Sequence, residues 1–191
     1  MDWIAAVEIF AFITGLLYLY FEVKQKNVMW IVGILTGAAC AASFAVQRIW
    51  ASAGLNIYYV IVSFIGIYQW RKTKGESGSE AIVLRRLPFW VAVVSLAVLL
   101  TFSPLLSTLL ARLGGNETLL DAGVTIMSAI ATVWLAACYP QQWLLWIVAD
   151  ICSAVLCAVA GMYWMTVLYI GYAGVAVYGW FHWKSKGNYI E

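Results

Sequence analysis

Seven stretches of mostly apolar residues, each long enough to cross a bilayer, dominate this sequence: residues 3–23, 28–46, 54–70, 87–113, 119–139, 141–160 and 162–183. A helix rises about 1.5 Å per residue and a hydrocarbon core is about 30 Å thick, so roughly 20 apolar residues make one crossing. Inside that core each segment of this length must pair its own backbone N–H and C=O groups, which makes it an α-helix. Composition agrees: 64% of the 191 residues are hydrophobic and 10% are charged, which excludes a soluble domain. With 11 Lys and Arg against 9 Asp and Glu, there is no basic field to hold nucleic acid. The chain opens Met1-Asp2-Trp3 and carries Glu8 in its first apolar stretch. It lacks the basic start and small-residue cleavage site of a secretory signal, so the first stretch is expected to be retained.

Seven crossings place successive loops alternately on two sides. One side collects Lys24, Lys26, Arg71, Lys72, Lys74, Arg85, Arg86, Lys184 and Lys186, the other Arg48 and Arg112. Positive charge favours the cytoplasmic side, so the C-terminus is expected in the cytoplasm and the N-terminus outside, in a multi-pass protein of the bacterial cytoplasmic (inner) membrane. The stretch 71–86, with Gly75-Glu76-Ser77-Gly78-Ser79-Glu80 at its centre, is composed as a linker and is expected to act as a cytoplasmic hinge.

The two ends of the chain resemble each other. Trp30-Ile31-Val32-Gly33 aligns with Trp146-Ile147-Val148-Ala149 at an offset of 116, and Ile57-Tyr58-Tyr59-Val60 with Val167-Leu168-Tyr169-Ile170 at an offset of 110. Tyr59 and Tyr169 are then expected to be mates. The expected fold is an all-α membrane protein of seven transmembrane helices, as two parallel three-helix repeats joined by a linker helix. The repeats fall at 1–70 and 119–191, with the cytoplasmic loop and linker helix at 71–118. Parallel repeats of this kind are a transporter arrangement, with substrate bound near the midplane where the repeats meet.

Aromatic residues make up 16% of the chain, 11 Trp and 11 Tyr among them, more than interfacial belts need, so some rings are expected to face a ligand. Trp143, Trp146 and Asp150 stand at i, i+3 and i+7 and share one helix face. Indole faces stack on planar heteroaromatic rings and attract cations, and a carboxylate accepts hydrogen bonds. Together they suit a small cationic aromatic ligand. Asp150 lies midway along its span, where an ionisable group is a functional candidate by default. A purely structural role, with Trp143 as an interfacial anchor and Asp150 paired to a polar neighbour, stays open. So do two roles for Glu8: lining the pathway, or pairing with an amide of a neighbouring helix. Asn56, with Tyr59 one turn on, and Tyr169 offer further hydrogen-bonding groups.

Other classes fit less well. Every lysine falls in a loop, linker or tail, so no mid-helix amine could form a retinal Schiff base. The single histidine, His182, lies at the end of the last span beside Lys184, which disfavours an intramembrane hydrolase, so no enzyme is expected. Nothing in the sequence requires a cofactor or a metal. A proton or cation pathway through Glu8 and Asp150 remains the alternative from a different class.

The residues from Glu8 through Phe12-Ile13-Thr14-Gly15-Leu16-Leu17-Tyr18, Asn27-Val28-Met29-Trp30, Leu55-Asn56-Ile57-Tyr58-Tyr59 and Gly66-Ile67-Tyr68-Gln69-Trp70 form one series of motifs. Gln142-Trp143-Leu144-Leu145-Trp146-Ile147-Val148-Ala149-Asp150, Leu168-Tyr169 and Tyr178-Gly179-Trp180 continue it. The whole series resembles the PnuC family of vitamin transporters. That family takes up nicotinamide riboside, with relatives for thiamine or riboflavin, and its 3+1+3 plan is similar to that of the sugar-transporting SWEET proteins. The resemblance implies facilitated diffusion with the substrate trapped by a cytoplasmic vitamin kinase. It implies Trp143 and Trp146 stacked on the substrate ring, Asp150 on its polar part, and Asn56, Tyr59 and Tyr169 completing the cage. One departure bears on substrate identity: around the start of the third span the family often has an acidic residue and a Gln, where this chain reads Ser52-Ala53-Gly54-Leu55-Asn56. Nicotinamide riboside is favoured on family frequency, and a homo-oligomer is left open.

Overall fold

A computed structural model describes residues 3–46, 50–77, 82–112 and 119–190, with side chains except those of 3–5, 7–9, 50–52 and 74–77. The described residues form seven helices: α1 (Trp3–Val23), α2 (Val28–Val46), α3 (Trp50–Ser77), α4 (Phe89–Arg112), α5 (Leu119–Ala136), α6 (Gln142–Val159) and α7 (Tyr163–Lys186). Two three-residue strands, β1 (Ile82–Leu84) and β2 (Gly187–Tyr189), accompany them. The helices α2, α4, α5, α6 and α7 are long and apolar enough to cross a membrane, and α1 contributes a shorter apolar run, Phe10–Val23. Large apolar side chains such as Phe102, Leu105 and Leu109 of α4 are exposed, as lipid-facing positions are in a chain whose solvent is hydrocarbon.

The linker expected over 71–86 is more structured than its composition suggests. Residues 71–77 continue α3, because Arg, Lys and Glu are good helix formers and tolerate water beyond an apolar segment. Residues 82–84 form β1, held in part by a side chain. Gln25, fully buried in the turn between α1 and α2, donates from Nε2 to the Val83 carbonyl at 2.7 Å, and the Val83 N–H donates to Gln25 Oε1 at 2.7 Å. Residues 78–81 of the expected hinge, together with 47–49 and 113–118, lie outside the described residues.

The chain clusters into two compact units, one of residues 1–83 with 136–138, the other of 84–135 with 139–191. In the first, α2 packs on α1 and α3; in the second, α6 packs on α7. In the second unit, too, the Trp134 indole donates to Ser95 Oγ at 3.1 Å, and the Ile190 N–H donates to the Leu84 carbonyl at 2.9 Å.

Internally the units share one construction. In the first, the buried Trp30 meets Trp70 edge to face, with centroids 5.2 Å apart, over Gly66, where a Cβ would run into the Trp30 ring. In the second, Trp143 meets Trp183 edge to face at 5.5 Å over Gly179, where a Cβ would lie 2.6 Å from the Trp143 ring. The turns entering α2 and α6 match as well. Each contains a left-handed non-glycine residue, Gln25 (φ 48°) and Cys138 (φ 63°). Each is closed by an amide reaching back five residues, Lys26 to Phe21 and Tyr139 to Trp134, both at 2.9 Å. Positions 25 and 138, 30 and 143, 66 and 179, and 70 and 183 are all separated by 113. This single register corrects the offsets of 116 and 110. A slip of three residues is nearly one helical turn and leaves every side chain on much the same face, so aromatic matching in apolar helices tolerates it. The mate of Tyr59 is therefore Tyr172, and Tyr169 corresponds to Asn56.

Candidate functional site

With the register known, the units separate into shared framework and local difference. Where α6 carries Trp146 and Asp150, α2 carries Gly33 and Gly37. These glycines let α2 approach its neighbours closely. A Cβ at Gly33 would sit 3.1 Å from Ser63 Oγ and from the Tyr18 ring, and one at Gly37 would sit 2.9 Å from Val60 Cγ2. On α7 the positions equivalent to Val60 and Ser63 are Ala173 and Ala176. Small has been exchanged for large on one helix and large for small on the other, which makes room for an indole and a carboxylate in the second unit only.

Asp150 is 8% exposed midway along α6. It is close enough to Tyr169 and Tyr172 of α7 to act on both electrostatically, and no cation among the described residues offsets its charge. Tyr169 and Tyr172 stand at i and i+3 with rings edge to face, centroids 6.1 Å apart. Trp146, one turn before Asp150, is half-buried. Its indole Nε1 is enclosed and has no hydrogen-bond partner among the described residues. A carboxylate with no charge partner among the described residues, an indole with part of its surface free and two phenols thus lie on two packed helices. Chemically the arrangement can attract a cation, stack on a ring and exchange hydrogen bonds with hydroxyl or amide groups.

Trp143, expected to stack on the ligand, is 1% exposed, with its ring taken up by Gly179 and Trp183. Its counterpart Trp30 packs the same way, so this indole belongs to the framework that sets the spacing of α6 and α7. Asn56 and Tyr59 lie together on α3 in the first unit, both half-buried. The Tyr59 carbonyl accepts from Ser63 Oγ at 2.7 Å, and its ring packs on Tyr58 with centroids 5.6 Å apart. Glu8 lies on α1 with its side chain outside the described residues. The structure therefore brings Trp146, Asp150 and Tyr169 together in the second unit and Asn56 with Tyr59 in the first. Tyr172 escaped the sequence reading. The signals for it were its i+3 spacing from Tyr169 and its register with Tyr59, which only the offset of 113 reveals.

Seven helices in two similarly built units, apolar outward and with a buried carboxylate among aromatic rings, define a multi-pass α-helical membrane transporter with a small-molecule substrate. The chain belongs to the nicotinamide mononucleotide transporter family, whose family model matches residues 5–185. It is 29% identical to the nicotinamide riboside transporter PnuC of Neisseria mucosa over 202 residues, covering 96% of this chain and 73% of that protein. It is 24% identical to the nicotinamide riboside transporter PnuC of Escherichia coli, with 98% and 87% covered. Among solved structures it is similar to a crystal structure of the vitamin B3 transporter PnuC, with a TM-score of 0.71 and 27% identity over 96% of this chain and 81% of that one.

Proposed function

We propose that this protein carries nicotinamide riboside into the bacterial cytoplasm by facilitated diffusion, with phosphorylation by a cytoplasmic kinase retaining the product. The observation that carries the reading is Asp150, a carboxylate buried in the middle of a membrane helix beside Trp146, with no cation among the described residues to offset it. A charge so placed is costly until a cationic partner arrives. The pyridinium ring of nicotinamide riboside supplies the positive charge and the flat face together, stacking on Trp146 while its charge compensates Asp150. The ribose hydroxyls then meet phenols such as Tyr169 and Tyr172. The names of the relatives in Neisseria mucosa and Escherichia coli support the same substrate. The distribution of basic residues supports an outside N-terminus and a cytoplasmic C-terminus.

The test is titration of the detergent-purified protein with nicotinamide riboside, thiamine, riboflavin and neutral nicotinamide, read by tryptophan fluorescence. Saturable quenching by nicotinamide riboside, and far weaker binding of uncharged nicotinamide, is expected. Asp150→Asn should weaken binding by about 2–5 kcal/mol, the range for removing one member of a desolvated charge pair. Trp146→Ala should remove about 2 kcal/mol. Selective quenching by thiamine would assign the same site to a different cationic ring, and an Asp150→Asn protein that binds as tightly as the parent would remove the carboxylate from the site.

A further inference from the structure

The internal duplication provides a control for the position two turns before Asp150. Gln142 and Met29 are equivalent at the offset of 113, and both are 0% and fully buried, on the first turns of α6 and α2. Their backbones are held alike: the Met29 N–H donates to the Lys26 carbonyl at 3.0 Å and the Gln142 N–H to the Tyr139 carbonyl at 3.2 Å. Methionine and glutamine have nearly the same length and volume, so packing at this position is satisfied by an apolar thioether in the first unit. The second unit has an amide there instead. Among the described residues neither its Nε2 nor its Oε1 has a hydrogen-bond partner.

That is an expensive arrangement for a structural residue. A buried polar group without a partner costs about 1–3 kcal/mol, and an amide has two such ends. Helix capping does not account for it. The first amides of α6 are already paired with the carbonyls of Tyr139, Pro140 and Gln141, and the helix has no side-chain cap. The unpartnered indole nitrogens of Trp30 and Trp143 are shared by both units and belong to the common framework. Single amide oxygens also lack a partner among the described residues at Asn27 and Gln141, but Gln142, whose equivalent is an apolar methionine, is the described amide with both atoms unpartnered. Its place on α6 is also specific. Gln142, Trp146 and Asp150 follow at i, i+4 and i+8, along one side of the helix over about 12 Å. The equivalents in α2 are Met29, Gly33 and Gly37. At three successive turns the second unit has replaced an apolar or absent side chain with one that can bind a ligand.

We propose that Gln142 is a specificity-determining residue of this transporter, reading a neutral donor-and-acceptor edge such as a primary carboxamide through its own side-chain amide. The proposal rests on the nicotinamide riboside reading and extends it. A carboxamide donates to Oε1 and accepts from Nε2 in a reciprocal pair, which satisfies both orphaned atoms at once. A carboxylate in its place can only accept, so it leaves Oε1 facing negative charge. The site is thereby built to take the amide form of a pyridinium nucleoside and refuse the acid form.

The test compares nicotinamide riboside with its carboxylic-acid counterpart on the parent protein and on Gln142→Met, the residue that the first unit uses at this position. The parent should bind the amide at least about tenfold more tightly than the acid, the discrimination expected when a buried polar group is left unpaired. Gln142→Met should unfold at or above the parental temperature, bind the amide about tenfold to a hundredfold more weakly, and lose most of its preference over the acid. Equal binding of the two ligands by the parent overturns the proposal without any variant. So does a Gln142→Met protein that keeps both parental affinity and parental preference. A parent that binds neither pyridinium nucleoside overturns the nicotinamide riboside reading itself, and the proposal with it, an outcome distinct from the other two.

Discussion

Gly179 and Gly66 show how single atoms set the spacing of these helices. Each lies under an indole, Trp143 or Trp30, at a distance that leaves no room for a methyl group. The rings are fully buried and braced by a second tryptophan, so they have nowhere to turn. Gly179→Ala and Gly66→Ala are each expected to destabilise the protein by about 1–3 kcal/mol, the usual range for overpacking a close-fitted interior. Thermal unfolding in detergent measures this. In Gly179→Ala the loss should be accompanied by weaker ligand binding, since Trp143 sets the spacing of the two helices that carry Asp150 and Tyr169. An unchanged unfolding temperature in both variants would show that the indoles can relax.

At the level of elements, the segment after α3 depends on a side chain more than on its own strand propensity. Three residues make a marginal strand by themselves. Val83 is 2% exposed, and its N–H and C=O both depend on Gln25. Gln25 in turn occupies a left-handed backbone position, φ 48°, that is uncommon for any residue with a Cβ. Gln25→Leu keeps most of the volume and removes both bonds. The Val83 amide is expected to lose hydrogen-exchange protection by about tenfold or more, the effect of one to a few kcal/mol of lost pairing, while the amides in the middle of α2 and α6 keep theirs. Full protection of Val83 in the variant would show that β1 stands without the clamp.

For the molecule as a whole, charge compensation at the site bears on energetics. An empty site presents an uncompensated carboxylate, and the proposed substrate carries one positive charge, so the loaded site is neutral without a co-transported ion. Uptake into liposomes should therefore stop when inside and outside concentrations are equal, and an imposed proton or sodium gradient should not raise that plateau. Accumulation that follows either gradient would mean that an ion shares the pathway, with Asp150 and Glu8 the first residues to examine.

The number of helices, their membrane setting and the place of Asp150 midway along an apolar helix, one turn after Trp146, were legible in the sequence. Segment length against bilayer thickness is a local property, and an acidic residue inside an apolar run stands out without any knowledge of its neighbours. Which helix faces meet was not legible. The repeat was visible, but its register was not, because a shift of three residues preserves the hydrophobic face that sequence matching reads. Only the packed pairs Trp30 with Trp70 and Trp143 with Trp183, each over its glycine, decide on 113. In that register Trp143 is packed as Trp30 is, Tyr172 stands near Asp150, and Gln142 is set against Met29. A side chain's environment is made by residues distant along the chain, so the tertiary structure alone could determine it.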